Sequence, residues 1–135
     1  MGRHARGWTL IELVIALAVV AIIAAFAYSA YNDQVIKSRR SDGQAMLFAA
    51  AQRQQQFFTI NGNFTATVGE GGLEMSTASP EGFYTLLIAA TANTYTLIAT
   101  RAGLQAADTG CGNLTLNHLG AKGTVGGTLP AAKCW

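Results

Sequence analysis

One carboxylate stands inside the longest apolar run of the sequence, and its position restricts the chemistry it can serve. Between Trp8 and Tyr31 the only acidic or basic side chain is that of Glu12. A carboxylate just inside a membrane helix costs roughly 2.5–3.5 kcal/mol on insertion scales, so it normally has a partner or a function. The next basic residue along the chain is Lys37. We therefore expect the partner of Glu12 to be an amine released by cleavage between Gly7 and Trp8, on this chain or on a neighbouring copy.

The two cysteines are a second pair of residues with potential chemistry. Cys111 and Cys134 are the only cysteines, and both lie in the C-terminal quarter of the chain. They form neither a CxxC motif nor a cluster with histidine, and such a pair is typical of a disulfide in an oxidising compartment. This interpretation places the C-terminal domain outside the cytoplasm.

No other residues combine into a catalytic or metal-binding pattern. Once residues 1–7 are removed, the only histidine is His118, which lies at a predicted turn without a nearby nucleophile, second ligand or carboxylate cluster. A lone histidine of this kind is far more often a surface residue than a metal ligand. The glycine-rich residues 68–72 lack the lysine and the strand-to-helix context of a phosphate-binding loop. We predict a protein without enzymatic activity, without a bound metal and without a cofactor.

The element that carries Glu12 is long enough to cross a membrane. Every residue from Leu13 to Tyr28 is apolar. A helix over residues 8–31 would rise about 36 Å, against a hydrocarbon core of about 30 Å. Residues 1–7 in front of it are polar and basic, and a basic head before an apolar span is typical of exported or membrane-anchored proteins. The charges do not determine the orientation, because three basic residues also follow the span: Lys37, Arg39 and Arg40.

An ordinary signal peptide is an alternative interpretation of this N-terminus. Residues 25–27, Ala-Phe-Ala, match the cleavage site of signal peptidase, which would release a soluble protein. Glu12 would then be an unexplained charge in the apolar core of the signal, and the helical pattern continues past Ala27 without interruption. The mature protein would begin at Tyr28 in this alternative, so its mass distinguishes the two kinds of processing.

Behind the apolar run the helical pattern continues and becomes amphipathic. Over residues 31–58 apolar and small residues recur seven apart, with Leu47 on the interleaved step: Ile36, Gly43, Ala50 and Phe57. The polar residues of this segment are expected to point away from that stripe: Lys37, Arg39, Arg40, Asp42, Gln52 and Arg53. No proline interrupts the pattern, so we predict one helix of roughly 50 residues, on the order of 75 Å long. The Asn-Gly-Asn turn at residues 61–63 should end it near residues 58–60.

The second half of the sequence predicts a small sheet. Two segments rich in Tyr, Thr, Leu and Ile, Tyr84–Ala90 and Tyr95–Arg101, are separated by a hairpin turn, and shorter candidate strands follow at 114–117 and 120–125. The Gly-, Thr- and Ser-rich residues 61–82 are predicted to form a connecting loop. The fold class is therefore α+β: a long N-terminal α-helix, with its apolar half protruding, packed on a small antiparallel β-sheet.

The N-terminal motif resembles that of a known family. Residues 7–13, Gly-Trp-Thr-Leu-Ile-Glu-Leu, are similar to the prepilin motif of type IV pilins and the related pseudopilins. In that family a membrane peptidase cleaves after the glycine and methylates the new amine. The resemblance implies leader cleavage after Gly7, methylation of Trp8 and a role in assembly for Glu12. The first mature residue of the family is usually Phe, and Trp8 is another bulky aromatic residue.

The C-terminal region resembles the same family. Residues 108–117 and 120–123, followed by Cys134 and Trp135, are similar to the disulfide-bounded tail of PilE-type minor pilins. The resemblance implies a pilin fold with a C-terminal disulfide loop between Cys111 and Cys134. A loop of this length would stabilise the fold by about 3 kcal/mol in the chain-entropy model.

The resemblance also implies an organisation and a function. Three segments are expected: a cleaved leader at 1–7, a transmembrane and filament-core helix at 8–31, and a periplasmic globular domain at 32–135. The expected function is that of a minor-pilin subunit of type IV pili, supporting pilus biogenesis and functions such as twitching motility, adhesion or DNA uptake. The subunit would span the inner membrane once and then enter the extracellular pilus. Its expected partners are other pilin subunits, prepilin peptidase and the inner-membrane assembly machinery.

Two other functions remain open at this point. One is a pseudopilin of type II secretion, and the other is a DNA-binding minor pilin of natural transformation, to which Lys122 and Lys133 would contribute. The formal charge of +2 includes Arg3 and Arg6, and without these two the nine Lys and Arg fall to seven, against seven Asp and Glu. A neutral mature chain gives no general reason to expect nucleic acid.

Overall fold

The computed structural model of the protein describes residues 8–135, which divide into two units. The N-terminal unit extends to Val35, and the C-terminal unit comprises Ile36–Trp135. One helix, α1 (Leu10–Asn61), contributes to both units. Gly7 and the rest of the predicted leader lie outside the described residues, and the three segment boundaries stay predictions.

Helix α1 ends at the turn that the sequence predicted. Gly62 follows the helix with a φ of 74°, and its N–H donates to the carbonyl oxygen of Phe58 at 2.8 Å. A glycine in this left-handed conformation satisfies a carbonyl of the last turn and closes the helix. The helix has 52 residues, so the expected length of roughly 50 is confirmed.

Four strands form an antiparallel meander in the C-terminal unit. They are β1 (Tyr84–Ala90), β2 (Tyr95–Arg101), β3 (Asn113–Asn117) and β4 (Lys122–Val125), and they lie side by side in chain order. Two short 3₁₀ helices, Gly103–Ala107 and Ala131–Lys133, were not predicted. The α+β fold class is confirmed.

The pairing register brings the apolar residues of neighbouring strands to one face. Leu86 of β1 pairs with Ala99 of β2, and Leu97 of β2 pairs with Leu116 of β3. Because strand residues alternate between faces, these side chains share the face that is buried in the core. Helix α1 contributes three buried hydrophobic residues to the same core: Met46, Leu47 and Ala50.

Two polar side chains of α1 fasten the connecting segment to the helix. The Gln54 amide donates to the carbonyl oxygen of Thr65 at 2.5 Å and accepts from the Thr65 N–H at 3.1 Å. About three turns nearer the N-terminus of α1, the Asp42 carboxylate accepts from the Ser79 hydroxyl at 2.5 Å and from the Glu81 N–H at 3.2 Å. The segment between the helix and β1 is therefore held at both of its ends.

The expectation that Arg40 and Asp42 point away from the core is wrong. Arg40 is 8% exposed and Asp42 is 7% exposed. The heptad pattern assigns charged residues to the solvent-facing side of the helix because it contains no information on distant partners. In the structure Asp42 contacts Ser79, 37 residues away in sequence. Arg40 contacts Asp108, 68 residues away. Such long-range partners satisfy buried charges and leave no trace in local periodicity.

Candidate functional site

In the N-terminal unit, Glu12 lies in a capping box at the first turn of α1. The Glu12 N–H donates to the Thr9 hydroxyl at 3.3 Å, and the Glu12 carboxylate accepts from the Thr9 N–H at 3.4 Å. This reciprocal pair satisfies two donors that a helix start otherwise leaves without partners. The carboxylate is therefore directed back towards Trp8, the residue at the predicted cleavage site, which is 71% exposed.

The N-terminal unit offers its apolar side chains no cover of its own. All side chains from Trp8 to Gln34 are exposed in the single chain. By length and composition α1 is able to cross a membrane, with no part of its most apolar stretch buried within the chain. Apolar surface of this extent is stabilised by lipid or by packing on other apolar helices.

In the C-terminal unit, Cys111 and Cys134 form the predicted disulfide. Their Cα atoms are 5.6 Å apart across a separation of 23 residues, and both residues are buried. The Gln44 amide of α1 donates to the carbonyl oxygen of Cys134 at 3.2 Å. The disulfide thus holds the C-terminal segment close to the helix.

A buried ion pair joins α1 to the segment that begins the disulfide loop. Arg40 Nε and Nη2 donate to the two carboxylate oxygens of Asp108 at 2.6 and 2.9 Å. The Cys111 N–H and the Gln105 amide also donate to this carboxylate, at 3.2 Å each. Burial alone would raise the pKa of Asp108, but the Arg40 and Cys111 hydrogen bonds and the charges of Arg40 and Arg101 outweigh it and leave the pKa below its ordinary value.

The charges of the C-terminal unit are segregated along the chain. The connecting segment, residues 62–81, carries three exposed carboxylates and no Lys or Arg: Glu70, Glu74 and Glu81. Residues 82–135 carry three cations and a single acid, Asp108, which is buried in its ion pair. The cations are Arg101, Lys122 and Lys133. A chain that is neutral in sum therefore presents a cationic region on its sheet and tail.

Lys122 lies beside two aromatic rings, and no local pattern in the sequence connects them with it. It pairs across β3–β4 with the buried Leu116, so its side chain leaves the sheet on the face that packs on α1. Its Nζ is 5.3 Å from the centre of the Phe48 ring and 5.2 Å from that of Trp135. At exposed positions such cation–π contacts contribute about 0.5–1 kcal/mol each.

The two rings contact each other as well. Phe48 and Trp135 meet edge to face with their centres 5.9 Å apart, and the Trp135 indole N–H donates to the carbonyl oxygen of Gly123 at 2.9 Å. Phe48 is 48% exposed. In the sequence Phe48 lies in an apolar stretch of the helix, directly after Met46 and Leu47. A large apolar residue in such a stretch is too common to identify a site.

His118, the remaining candidate from the sequence, contacts a different aromatic residue. His118 stacks edge to face on Tyr95, with ring centres 6.2 Å apart. Among residues 8–135 no three His, Cys, Asp or Glu side chains are grouped so as to hold a metal ion. Arg101 belongs to the surroundings of the ion pair, because it donates to the carbonyl oxygen of Asp108 at 2.5 Å and to the Asn113 side chain at 3.4 Å.

Two family models match this chain, and together they cover most of it. The model described as "Type IV minor pilin ComP, DNA uptake sequence receptor" matches residues 29–115. The model described as "Prokaryotic N-terminal methylation motif" matches residues 2–28. The two matches meet at the end of the apolar run, and the N-terminal motif and the globular region point to the same class of protein.

Individual proteins are similar over different parts of the chain. A type IV major fimbrial protein FimA of Dichelobacter nodosus is 46% identical over 41 residues, which is 30% of this chain and 26% of that protein. A fimbrial protein of the same organism matches to the same extent. The chain therefore matches only about a quarter of the length of these relatives. A solved type IV pilin from Shewanella oneidensis has the same fold over 74% of this chain and 97% of its own, with a TM-score of 0.54 and 26% identity.

Proposed function

The chain belongs to the type IV minor pilin family ComP, described as DNA uptake sequence receptors, and we propose that it is a filament subunit whose C-terminal unit binds DNA. Family and fold are those of structural subunits. The similar proteins are type IV pilins and fimbrial proteins, so the pseudopilin alternative is not favoured. We propose no catalytic role for any described residue.

The N-terminal unit serves as membrane anchor and then as the buried part of the filament. Its fully exposed apolar surface supports both roles, because lipid before assembly and neighbouring subunits afterwards would remove it from water. The subunit spans the inner membrane once with its C-terminal unit in the periplasm, and then moves into the extracellular pilus. The disulfide supports this orientation, since disulfides persist in oxidising compartments.

Maturation takes place at Gly7 and Trp8. Prepilin peptidase cleaves after Gly7 and methylates the amine of Trp8, and the inner-membrane assembly machinery then adds the subunit to other pilins. The match of the N-terminal methylation motif supports this step. Mass spectrometry of the protein in sheared filaments tests it. We expect a mass that begins at N-methylated Trp8, whereas a mass that begins at Tyr28 would contradict filament assembly.

The DNA-binding role depends on one observation, the segregation of charge in the C-terminal unit. Exposed Lys122 and Lys133 lie in residues 109–135, which contain no acidic side chain. Cations that neutralise phosphates release counterions, so their contribution to binding falls as salt rises. The sheet and tail, rather than the acidic connecting segment, are the DNA-binding region.

A titration of the full-length chain in detergent with duplex DNA at about 50 and 200 mM salt tests this role. We expect binding that weakens with salt, and the Lys122→Ala/Lys133→Ala variant should lower the salt slope by about two, one for each lost phosphate contact. Arg53→Ala is the matched control, because Arg53 is an exposed cation on α1 outside the proposed region. Equal slopes for the wild type and the double variant would refute the assignment.

A further inference from the structure

We propose that Phe48, Lys122 and Trp135, named here the aromatic–lysine patch, bind single-stranded DNA by stacking on an unpaired base. The inference rests on the proposed DNA binding and specifies the form of DNA that the site takes. It comes from the side-chain geometry of three residues that lie far apart in sequence. Neither the N-terminal motif nor the pilin fold requires this geometry.

The patch combines the two features that sequence-independent single-strand binding needs. Proteins of this kind place cations along the backbone path and aromatic side chains where bases can stack. Here Lys122 Nζ is within 5.3 Å of both ring centres, and Lys133 lies two residues before Trp135 in the chain. Phosphate and base can therefore be contacted at adjacent points of one surface.

The exposure of the rings favours a ligand over a purely structural role. Phe48 is 48% exposed although it lies on the helix that contributes to the core. Trp135 is half-buried, with part of its surface packed against the core and part open to solvent. The indole N–H is bonded to Gly123, which fixes the orientation of the indole. A ring held in place and partly open to solvent loses little freedom when a base stacks on it.

The form of DNA follows from which surfaces of the bases are free. In a duplex the faces of each base are covered by its neighbours, whereas an unpaired base presents a face to an aromatic ring. Lys122 now occupies the space near both rings, but it is exposed and free to turn to a phosphate. One stacked base and one phosphate contact would then replace the two exposed cation–π contacts of Lys122. Base stacking is the strongest of these interactions, so the exchange favours binding.

Helix α1 extends the patch with uncharged hydrogen-bonding groups. Gln52 and Gln55 follow Phe48 at the i+4 and i+7 positions, and all three are exposed, so they share one face of the helix. Glutamine amides both donate and accept, as the edges of unpaired bases require. A single strand that stacks on Phe48 would continue along this face.

The test compares one mixed-sequence oligonucleotide of about 12 nucleotides as a single strand and as a duplex, with the full-length chain in detergent. Phe48→Leu keeps the apolar contact and removes the aromatic face, and we expect about tenfold weaker binding of the single strand with unchanged binding of the duplex. Phe48→Tyr should restore the affinity. Phe83→Leu is the matched control, since Phe83 forms another aromatic contact with a cation, 4.7 Å from Arg39. This variant should bind both forms of DNA as the wild type does.

Tryptophan fluorescence gives a second readout that needs no variant at Phe48. The chain has two tryptophans, Trp8 and Trp135, and single-stranded DNA should quench the wild type but not Trp135→Phe. Absent quenching, or equal losses for single strand and duplex in Phe48→Leu, would overturn the inference while leaving the duplex binding of the proposed function in place. Absence of binding to either form at low salt would overturn both.

Discussion

At the scale of single residues, Glu12 has a local role and a proposed assembly role that substitutions can separate. Its carboxylate and the Thr9 hydroxyl form the capping box, and glutamine serves equally well at this position of a capping box. Glu12→Gln therefore keeps the helix start and removes the charge. We expect normal amounts of Glu12→Gln subunit in membranes and at least about tenfold less in sheared filaments, because an unpaired amine is left in an apolar environment.

Two further variants complete this comparison. Glu12→Ala removes both the charge and the cap and should behave like Glu12→Gln in filaments. Thr9→Ala breaks the capping box and keeps the charge, so it should assemble normally. Immunoblots of membrane and filament fractions measure each ratio. Normal incorporation of Glu12→Gln would mean that the charge has no part in assembly.

The Arg40–Asp108 pair is the residue-scale feature that makes stability depend on pH. Because its partners hold the pKa of Asp108 below the ordinary value of 3.8, the folded state favours the ionised form. This stabilisation is present above the pKa of the unfolded chain, near 3.8, and is lost as the pH falls through the lower folded pKa. Urea unfolding at pH 7 and below pH 4 should show this loss in the wild type and a smaller one in Asp108→Asn.

The same variant tests the ion pair at neutral pH. Asp108→Asn leaves the Arg40 charge buried without its partner, and we expect it to lower the free energy of unfolding by about 3 kcal/mol. Glu81→Gln, at an exposed carboxylate, should change it by less than about 0.5 kcal/mol. Equal effects of the two variants would show that the buried pair contributes no more than a surface charge.

At the scale of elements, the packing of α1 on the sheet depends on the absence of a side chain at Gly43. A Cβ there would lie 2.8–2.9 Å from the ring atoms of Tyr84, which is fully buried. Burial also raises the pKa of the Tyr84 phenol, and its oxygen accepts a hydrogen bond from Gln105 at 3.0 Å. The ring is therefore fixed and cannot yield to an added methyl group.

Gly43→Ala sets helix propensity against packing. Alanine would stabilise the helix by about 1 kcal/mol, but overpacking costs about 1–3 kcal/mol. Because the Tyr84 ring is fixed, we expect the overpacking to outweigh the gain in helix propensity. We expect a net loss of up to about 2 kcal/mol in thermal or urea unfolding. Ser38→Ala, at an exposed position of the same helix, should change stability by no more than about 0.5 kcal/mol. A stabilised Gly43→Ala would show that Tyr84 can move.

At the scale of the whole molecule, the disulfide connects the end of the chain to the start of β3. The C-terminal segment has little regular structure beyond β4 and the 3₁₀ helix Ala131–Lys133, so it depends on this link. Cys111→Ser/Cys134→Ser should lower the free energy of unfolding by about 3 kcal/mol and make residues near the C-terminus sensitive to protease. Reductant should reproduce both effects in the wild type. Unchanged protease resistance in the double variant would mean that the Gln44 contact alone holds the segment.

The helix and the strands could be predicted from the sequence, because their signals are local. Two segments rich in Tyr, Thr, Leu and Ile with a hairpin turn between them were sufficient to predict β1 and β2 with the bounds that the structure has. An uninterrupted apolar and then amphipathic pattern predicted α1, and the Asn-Gly-Asn turn predicted its end. The N-terminal motif and the cysteine pair indicated the family in the same way, since each depends on residue type at fixed spacing.

Which charged residues are buried, and which surface residues contact each other, depends on the three-dimensional packing. The local pattern predicts that Arg40 is in solvent, whereas the structure buries it against Asp108, 68 residues away. The Phe48–Lys122–Trp135 contacts likewise join a helix, an edge strand and the C-terminal residue. Periodicity reports which face of an element is apolar, but a partner for a charge or a ring comes from the register and packing of distant elements. That is why the fold could be predicted from the chain and the aromatic–lysine patch could not.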